Sequence, residues 1–231
     1  MTTSLEGKLC AVTGGSTGLG AAIAEALAGA GAAVCALARR HADITLPEPL
    51  GAGRVTRARL DVTDENAVTR TFAALGTVDV LACCAGTGSF KPLVETTATE
   101  LREMLEAHIV GAFLCARALL RQPGDGRIRH IINVSSVAAF RTFTSSAAYT
   151  AAKEGQRGLS RVLTEEARAA GVRVTSLYPG AIDTAIWDGR VGFDRAAMLK
   201  PADVAGLVVE IVRRPELAVE ELVVMPPAGA L

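Results

Sequence analysis

The stretch that decides the fold is "LCAVTGGSTGLGAAIAEALAGAGAAV", residues 9–34. It begins as a short apolar run, turns through glycines and continues as an alanine-rich pattern that is typical of a helix. Two chemistries fit the turn. As G-x-S-x-G, residues 14–18 would expose Ser16 as the nucleophile of an α/β hydrolase. As T-G-x-x-x-G-x-G, residues 13–20 would lead into a helix N-terminus that can hold a pyrophosphate.

The position of the turn in the chain argues against a hydrolase. A nucleophile elbow follows a strand in the middle of a sheet, whereas only eight residues precede this first strand. The hydrolase also needs a histidine late in the chain, and the last histidine is His130. In the pyrophosphate interpretation Gly14 permits the turn, Gly18 lets the backbone approach a ligand, and Gly20 lets the helix pack against the sheet. A tight turn without a ligand is the alternative.

Short apolar runs alternate with helical patterns along the rest of the chain. Most of the apolar runs are continuous, as in strands that are buried on both faces of a sheet. The alternation predicts an α/β fold, a single-domain Rossmann-like doubly wound parallel sheet of seven strands with helices on both faces. The predicted strands are 9–13, 33–38, 55–60, 78–83, 129–134, 173–177 and 221–225, and the predicted helices are 19–30, 64–75, 99–121, 147–170 and 201–213.

Local signals set some of the boundaries. Asp64 and Thr99 are predicted helix caps, and Pro201 suits a first helical turn. The connection from residue 39 to residue 53 contains Pro47 and Pro49, which make a continuous helix improbable, so we expect a loop or a single turn. No linker or repeat interrupts the pattern, and residues 1–231 are predicted to form one domain with a small substrate-loop region around 184–200.

Composition restricts the classes of function. The 231 residues are half hydrophobic and carry 24 basic and 24 acidic side chains, which gives no basic surface for nucleic acid or an anionic membrane. The N-terminus lacks the apolar core of a secretory signal, and no apolar run is long enough to span a bilayer. The five cysteines are odd in number and suit neither a zinc site nor a disulfide framework. We therefore expect a cytoplasmic protein with reduced, buried thiols and no bound metal.

A second group of residues points to acid–base chemistry. The stretch "INVSSVAAFRTFTSSAAYTAAKEG" contains Ser136, Tyr149 and Lys153. Tyr149 and Lys153 are four residues apart at the start of a predicted helix, so they share a face. A nearby ammonium stabilises a phenolate and lowers its pKa toward neutrality, as a general acid/base requires. Ser136, at the end of a strand, can hydrogen-bond the same substrate oxygen. Each residue taken alone is more often structural.

The sequence resembles the short-chain dehydrogenase/reductase family over essentially its whole length. The resemblance rests on "TGGSTGLG", "LDVTD", "CCAG", "YTAAK", "YPGAIDT" and the serine thirteen residues before Tyr149. It implies that Tyr149 donates and accepts the proton, that Lys153 holds the nicotinamide ribose and lowers the pKa of Tyr149, and that Ser136 polarises the carbonyl. The hydride itself belongs to the nicotinamide.

The resemblance also implies the residues that hold the cofactor. Asp61 and Val62 would flank the adenine, Ala85 and Gly86 would line the cofactor, and Ile182 with Thr184 would hold the carboxamide. The full predicted set is Gly14, Ser16, Thr17, Gly18, Leu19, Gly20, Arg39, Arg40, Asp61, Val62, Ala85, Gly86, Tyr149, Lys153, Pro179, Gly180, Ile182 and Thr184.

Two departures from the family pattern concern the site. Where the family usually has Asn-Asn-Ala-Gly, this chain has Cys83 and Cys84 before Ala-Gly, and thiols are weak hydrogen-bond partners. Where the family has an asparagine that helps to hold a proton-relaying water, three residues before a glycine, this chain has His108. An imidazole can also donate and accept a hydrogen bond, so we predict that His108 replaces the asparagine catalytically. The alternative is an impaired relay in which His108 only packs.

The end of the second strand indicates which nicotinamide cofactor is bound. NAD enzymes place an acid there for the ribose 2′-OH, whereas an arginine nearby accommodates the 2′-phosphate of NADP. This chain has Ala38 followed by Arg39 and Arg40, and Ser16 and Thr17 could add hydroxyl donors. NADP is therefore the predicted cofactor and NAD a possible one. Solvated surface charges are the alternative for the two arginines.

The loops that border the expected nicotinamide site are aromatic and carry few charges. Phe90, Phe143 and Trp187 are the predicted substrate contacts, and they favour a small, mostly apolar carbonyl or alcohol, although aromatic residues in loops are as often packing residues. The resemblance implies that the helices predicted at 99–121 and 147–170 pair between subunits. A homodimer or homotetramer is expected, and a monomer is the alternative.

Three functions fit these observations. The first is an NADP-dependent oxidoreductase that acts on a carbonyl or alcohol. The second is a cofactor-binding sensor or scaffold without turnover, which His108 and Cys84 suggest and which the intact Ser136, Tyr149 and Lys153 oppose. The third is a methyltransferase with a similar glycine turn, but that class needs an acid for the ribose hydroxyls where this chain has Ala38.

Overall fold

The computed structural model describes residues 4–43, 46, 50–190, 192–227 and 229. Its centre is one seven-stranded sheet in the order β3-β2-β1-β4-β5-β6-β7, and every neighbouring pair of strands is parallel. The strands are β1 Leu9–Thr13, β2 Ala33–Ala38, β3 Val55–Arg59, β4 Val80–Cys83, β5 Arg129–Val134, β6 Val172–Pro179 and β7 Glu221–Val224. The predicted doubly wound parallel fold is confirmed.

Helices cover both faces of the sheet. They are α1 Gly18–Gly29, α2 Glu65–Leu75, α3 Ala98–Leu105, α4 Gly111–Leu120, α5 Ala147–Ala169 and α6 Pro201–Val212, with a π-helical turn at Glu106–Val110 between α3 and α4. One apolar core joins the sheet to α1 and α6, and a second joins the opposite face to α2, α4 and α5. Both faces are buried, which explains the continuous apolar strands in the sequence.

The strand order reverses between β1 and β4. In open sheets of this kind the carboxyl ends of the strands at the reversal point form a crevice in which ligands bind. The residues at those ends are Thr13 on β1 and Cys83 on β4. The residues predicted to bind a dinucleotide cluster around this edge.

Several predicted boundaries agree with the structure. Asp64 caps α2 by accepting a hydrogen bond from the Ala67 amide at 2.9 Å, and Pro201 occupies the first turn of α6. The predicted strand at 78–83 begins later, at Val80. Pro47 and Pro49 lie outside the described residues.

The helix predicted at 99–121 differs most from expectation. It begins at Ala98, and its cap is Thr97 rather than Thr99. Thr97 and Glu100 form a reciprocal capping box, with the Glu100 amide 3.2 Å from the Thr97 hydroxyl and the Thr97 amide 2.8 Å from the Glu100 carboxylate. Thr99 has no such partner three residues on. The π turn, which sequence periodicity did not predict, places His108 inside the fold.

Within the described ranges no helix is both long and apolar enough to cross a bilayer. The same part of the chain has no group of three or more histidine, cysteine or acidic side chains that could hold a metal ion. The five cysteines are free thiols, and all except Cys84 are buried.

Candidate active site

The glycine turn after β1 has the tight backbone that its sequence predicts. Gly14 and Gly18 have φ angles of +67° and +57°, a region that favours glycine. A Cβ atom on Gly14 would lie 2.7 Å from the Cys84 carbonyl oxygen, and one on Gly20 would collide with the Gly14 carbonyl. Side chains at these positions would therefore fill or distort the turn, and only glycine lets β1, α1 and the end of β4 approach so closely.

The first turn of α1 faces the segment that follows β6. Thr17 is the N-cap residue and is exposed, and its side chain makes no capping hydrogen bond. The Thr184 side chain lies 3.3 Å from the position of a Cβ on Gly18. The structure thus brings together the segment predicted to hold the pyrophosphate and the segment predicted to hold the carboxamide. They meet at a helix N-terminus whose amides and dipole favour an anion.

Thr13 fixes the loop that replaces the family's Asn-Asn-Ala-Gly. Its hydroxyl accepts hydrogen bonds from the amides of Cys84 and Ala85, each at 3.2 Å. Burial raises the pKa of the Cys84 thiol far above its usual range, so it stays protonated. This role of Thr13 was not predicted, although a threonine directly before the first glycine is a signal that the sequence shows. The backbone contacts come from Thr13, so they do not need the missing asparagine side chains.

Ser136, Tyr149 and Lys153 come together as predicted from their spacing. Ser136 follows β5 and accepts a hydrogen bond from the Ala138 amide at 3.1 Å, which orients its side chain. Tyr149 and Lys153 project from the first turns of α5, and the Lys153 Nζ lies 5.6 Å from the centre of the Tyr149 ring. The phenol, the hydroxyl and the ammonium therefore share one small volume at the carboxyl edge of the sheet.

The protonation states differ from the simple expectation. Burial raises the pKa of Tyr149, and a hydrogen bond with Ser136 acts in the opposite direction without reversing the shift. Burial also lowers the pKa of Lys153 to about 7. In this structure the pKa of Tyr149 is therefore not lowered by the Lys153 charge. The physical reason is that burial, which penalises the charged form, is the largest cause of both shifts.

Lys153 is held by two acceptors. Its Nζ donates to the Val134 carbonyl and to the Gln156 side-chain oxygen, each at 3.2 Å. Gln156 is buried on the same face of α5, three residues after the lysine. Gln156 was not among the predicted site residues, although an amide three residues after a functional lysine is a signal that the sequence shows. These two bonds fix the direction in which the ammonium points.

His108 lies against Tyr149 on the π turn. Its ring packs edge-on to the Tyr149 ring at a centroid distance of 5.8 Å, and it occupies the space above Gly86, where a Cβ would lie 2.7 Å from Nδ1. Nε2 lies 2.7 Å from the Thr87 carbonyl oxygen, to which it can donate, and 3.2 Å from the Thr87 amide, from which it can accept, depending on the tautomer. The shorter contact favours the tautomer with the proton on Nε2, in which Nδ1 is an acceptor. Nδ1 is buried and has no hydrogen-bond partner among the described residues.

The charge state of His108 follows from its burial. Burial is the main cause that lowers its pKa to about 3, and the nearby Lys153 charge acts in the same direction. The imidazole is therefore neutral at physiological pH. A neutral ring with a buried, unpartnered acceptor beside Tyr149 could hold a water molecule, as the family's asparagine does by resemblance.

The predicted adenine and phosphate side of the site lies at the ends of β2 and β3. Arg39 and Arg40 are exposed directly after β2, and neither pairs with a carboxylate within the described ranges. Val62 is buried against Gly111, whose Cβ would lie 2.5 Å from a Val62 methyl. Asp61 accepts hydrogen bonds from the Thr63 amide at 3.0 Å and hydroxyl at 2.8 Å, so its side chain is oriented by its own turn.

The predicted substrate residues have different packing partners. Phe90 packs on Tyr149 at a centroid distance of 5.0 Å. Trp187 donates from its indole nitrogen to the Ile182 carbonyl at 2.9 Å and packs on Phe193. Phe143 instead lines a separate cavity of about 480 Å³, together with Leu93, at the start of α5. That cavity also takes in Thr150, the neighbour of Tyr149 on α5, and the substrate contact of Phe143 stays a prediction.

Comparison with known proteins identifies the class. The sequence model of the short chain dehydrogenases matches residues 8–191. A sepiapterin reductase of Chlorobaculum tepidum is 30% identical over 94% of this chain and 96% of its own length. A 1-deoxy-11-beta-hydroxypentalenate dehydrogenase of Streptomyces exfoliatus is 34% identical over 89% of this chain and 80% of its own length.

A solved structure agrees with these relatives. The alcohol dehydrogenase of the archaeon Thermococcus sibiricus, complexed with 5-hydroxy-NADP, is 27% identical, covers 97% of this chain and 98% of its own, and superposes with a TM-score of 0.83. This chain belongs to the short-chain dehydrogenase/reductase family. It is an NAD(P)-binding oxidoreductase that acts on alcohol and carbonyl groups of a small molecule.

Proposed function

We propose that this protein is an NADP(H)-preferring reductase or dehydrogenase of a small, mostly apolar carbonyl or alcohol, with Tyr149 as its general acid/base. The observation that carries the proposal is the grouping of Ser136, Tyr149 and Lys153 beside the glycine turn. Residues 1–231 are taken as one domain, with the segment around 184–200 as the substrate loop.

The residues around the glycine turn fit a dinucleotide. Gly14 and Gly18 leave room for a diphosphate to approach the backbone, because they carry no side chain. The first amides of α1 have no side-chain cap, so they can donate to that diphosphate. Thr184 faces Gly18 from the other side. When bound, the nicotinamide supplies or accepts the hydride.

The protein residues handle the proton. Ser136 donates a hydrogen bond to the substrate oxygen and polarises the carbonyl. Tyr149, whose pKa is raised, is protonated at neutral pH and can give its phenolic proton to that oxygen as the alcohol forms. Lys153, anchored by Val134 and Gln156, has a third N–H bond available to hold a ribose hydroxyl or a water molecule.

His108 continues this proton path in the proposal. Its Nδ1 is an acceptor with no described partner and lies in the same buried space as Tyr149 and Lys153. A water molecule that donates to Nδ1 and accepts from Lys153 would replace the water held by the family's asparagine. His108 itself stays neutral in this role, because burial keeps its pKa near 3.

The NADP preference rests on charge at the end of β2. Ala38 is buried and uncharged, so it neither repels a 2′-phosphate nor binds a free 2′-OH. Arg39 and Arg40 follow it at the surface, while Asp43, an acid in the next segment, pairs with Arg59 at 3.3 Å. The two arginines therefore give this edge a positive field that favours the phosphate.

Location and assembly are also proposals. Five free thiols support a reducing, cytoplasmic environment. Exposed apolar side chains on the long helices, among them Phe113 on α4 and Val162 on α5, support a homodimer or homotetramer.

A substrate screen with two variants tests the proposal. The wild type should oxidise NADPH with a panel of aldehydes, ketones and quinones faster than it oxidises NADH. Tyr149→Phe should lose about 10²–10⁴-fold in kcat and bind NADPH almost as tightly as the wild type. Thr150→Val, the next position on α5, serves as the control and should keep most of its activity. Full turnover by Tyr149→Phe would disprove the role of Tyr149, whereas tight NADPH binding with no turnover of any substrate would favour the sensor or scaffold.

A further inference from the structure

The segment that follows Thr184 packs over the substrate side of the site. A Cβ on Gly88 would lie 2.6 Å from an Ile186 methyl and 2.7 Å from the Phe90 ring. Gly88 thus lets this segment lie directly on the loop after β4. Phe90 and Trp187 form the apolar wall that results, and Phe90 is in contact with Tyr149.

Arg190 lies on this wall. Its guanidinium carbon is 4.1 Å from the centre of the Phe90 ring and 5.8 Å from the centre of the Trp187 ring. Phe90 in turn packs on Tyr149 at 5.0 Å. Phe90 therefore contacts both the guanidinium and the reacting phenol, which places Arg190 near the catalytic tyrosine.

The charge of Arg190 is not neutralised in the way that neighbouring charges are. Lys91 pairs with Glu100 at 2.6 Å. Arg195 pairs with Asp183 and Asp188, each at 2.7 Å. For Arg190 no carboxylate lies within 4.0 Å among residues 4–43, 50–190 and 192–227.

Arg190 is half-buried on this aromatic wall, so part of its guanidinium still faces water. Burial lowers the pKa of Arg190, in keeping with partial loss of water around the guanidinium. Stacking on Phe90 supplies part of the compensation, because the ring face attracts a cation. Stacking uses the face of the guanidinium and leaves its edge N–H groups for an acceptor in the plane.

We propose that Arg190 binds a carboxylate of the substrate, so that the substrate class is a keto acid or hydroxy acid with an apolar body. This inference rests on the proposed function and deepens it. The acid would lie on the Phe90 and Trp187 side of the site, away from the reacting carbonyl. A planar guanidinium matches a carboxylate with two parallel hydrogen bonds, which fixes the substrate's orientation as well as its affinity.

The experiment compares acids with their esters. The probes are 4-oxocyclohexanecarboxylate, 3-oxocyclohexanecarboxylate and 5-oxohexanoate, each paired with its methyl ester. Dissociation constants are measured by calorimetry in the presence of NADP⁺, and kcat/KM is measured with NADPH. The proteins are the wild type, Arg190→Gln, Arg190→Lys and the control Arg121→Gln, which changes an exposed arginine at the far end of α4.

The expected result is selective for charge. The wild type should bind at least one acid about ten- to a hundredfold more tightly than its ester, as the loss of a charge-assisted hydrogen bond implies. Arg190→Gln should abolish that difference without changing ester binding, and Arg190→Lys should restore part of it. Arg121→Gln should behave as the wild type.

Other outcomes overturn the proposal. Equal binding of every acid and its ester by the wild type would show that the site does not select an anion. Equal losses for acids and esters in Arg190→Gln, with a lower Tm, would make Arg190 a structural part of the wall. A loss of NADPH affinity in the same variant would assign the guanidinium to the cofactor's diphosphate. A failure of the proposed function would look different. The protein would then turn over neither acids nor esters, whereas the calorimetric comparison of acid binding with ester binding would still test the role of Arg190.

Discussion

Replacing His108 separates a catalytic role from a packing role. His108→Asn keeps a donor and an acceptor in the buried space beside Tyr149, whereas His108→Leu keeps the bulk and removes both. The hydrogen bond from Nε2 to the Thr87 carbonyl contributes about 0.5–1.5 kcal/mol to stability. For a chain of this length about 1 kcal/mol shifts Tm by about 2–4 °C, so the leucine variant should melt only a few degrees lower.

The catalytic effect should be larger than the effect on stability. General acid/base assistance typically contributes about 10²–10⁴-fold, and a relay through Nδ1 supplies part of it. We expect His108→Leu to lower kcat by at least about tenfold at unchanged NADPH affinity, and His108→Asn to keep most of kcat. The assay is steady-state NADPH oxidation at saturating substrate, with NADPH binding measured separately by titration.

A matched control excludes general loosening of the site. Met104→Leu conserves volume in the small apolar cluster that contains Tyr149, and it should leave kcat unchanged. Equal kcat for histidine, asparagine and leucine at position 108 would refute the relay and leave His108 as a packing residue. Parallel losses in kcat and NADPH affinity would refute it as well, because they would indicate a displaced cofactor.

Two further predictions concern charge. Replacing Ala38 with Asp and Arg39 with Leu should reduce the ratio of NADPH affinity to NADH affinity by about ten- to a hundredfold. The reduction should be smaller at high salt, because the site is exposed. If titration shows an unchanged ratio, Arg39 is a solvated surface charge. The pKa values of His108 and His130 are lowered by burial to about 3, so the unfolded chain binds these two protons first as the pH falls. The free energy of unfolding should therefore decrease as the pH falls from about 6.5 to 3, by about 1.4 kcal/mol per pH unit for each histidine. In urea unfolding measured across this range, His130→Gln should make the decrease shallower. A free energy of unfolding that does not change with pH would contradict the burial effect.

The sheet was predictable because its signal is local. Continuous apolar runs with glycine turns between them predicted β1, β2 and β5 at their observed bounds. The grouping of Ser136, Tyr149 and Lys153 follows from the same topology, since a strand end and the next helix start meet at one edge of a parallel sheet.

What was not predictable depends on tertiary contacts. A π turn has no apolar period of its own, so the burial of His108 against Gly86 appeared only in the structure. The lowered pKa of Lys153 and the raised pKa of Tyr149 come from desolvation by the whole fold. The Arg190–Phe90 stack joins loops a hundred residues apart, and nothing in either loop alone indicates it.

The pKa of Tyr149 predicts how the two reaction directions depend on pH. Carbonyl reduction needs the phenol, which is the stable form at neutral pH because burial raises the pKa of Tyr149 above its ordinary value of 10.0. Alcohol oxidation needs the phenolate, and the Lys153 charge that would stabilise it fades above pH 7, where that ammonium deprotonates. The protonation of Tyr149 should therefore not limit reduction near neutrality, where only the titration of Lys153 can change its rate, whereas oxidation should still increase beyond pH 9. Profiles of kcat/KM against pH in both directions test this, with Ser136→Ala expected to move the oxidation limb to higher pH because it removes the hydrogen bond that lowers the pKa of Tyr149. An oxidation rate that is already constant from pH 7 upward would mean that Lys153 keeps its charge in the working complex and that its attraction for the phenolate, rather than burial, determines the pKa of Tyr149.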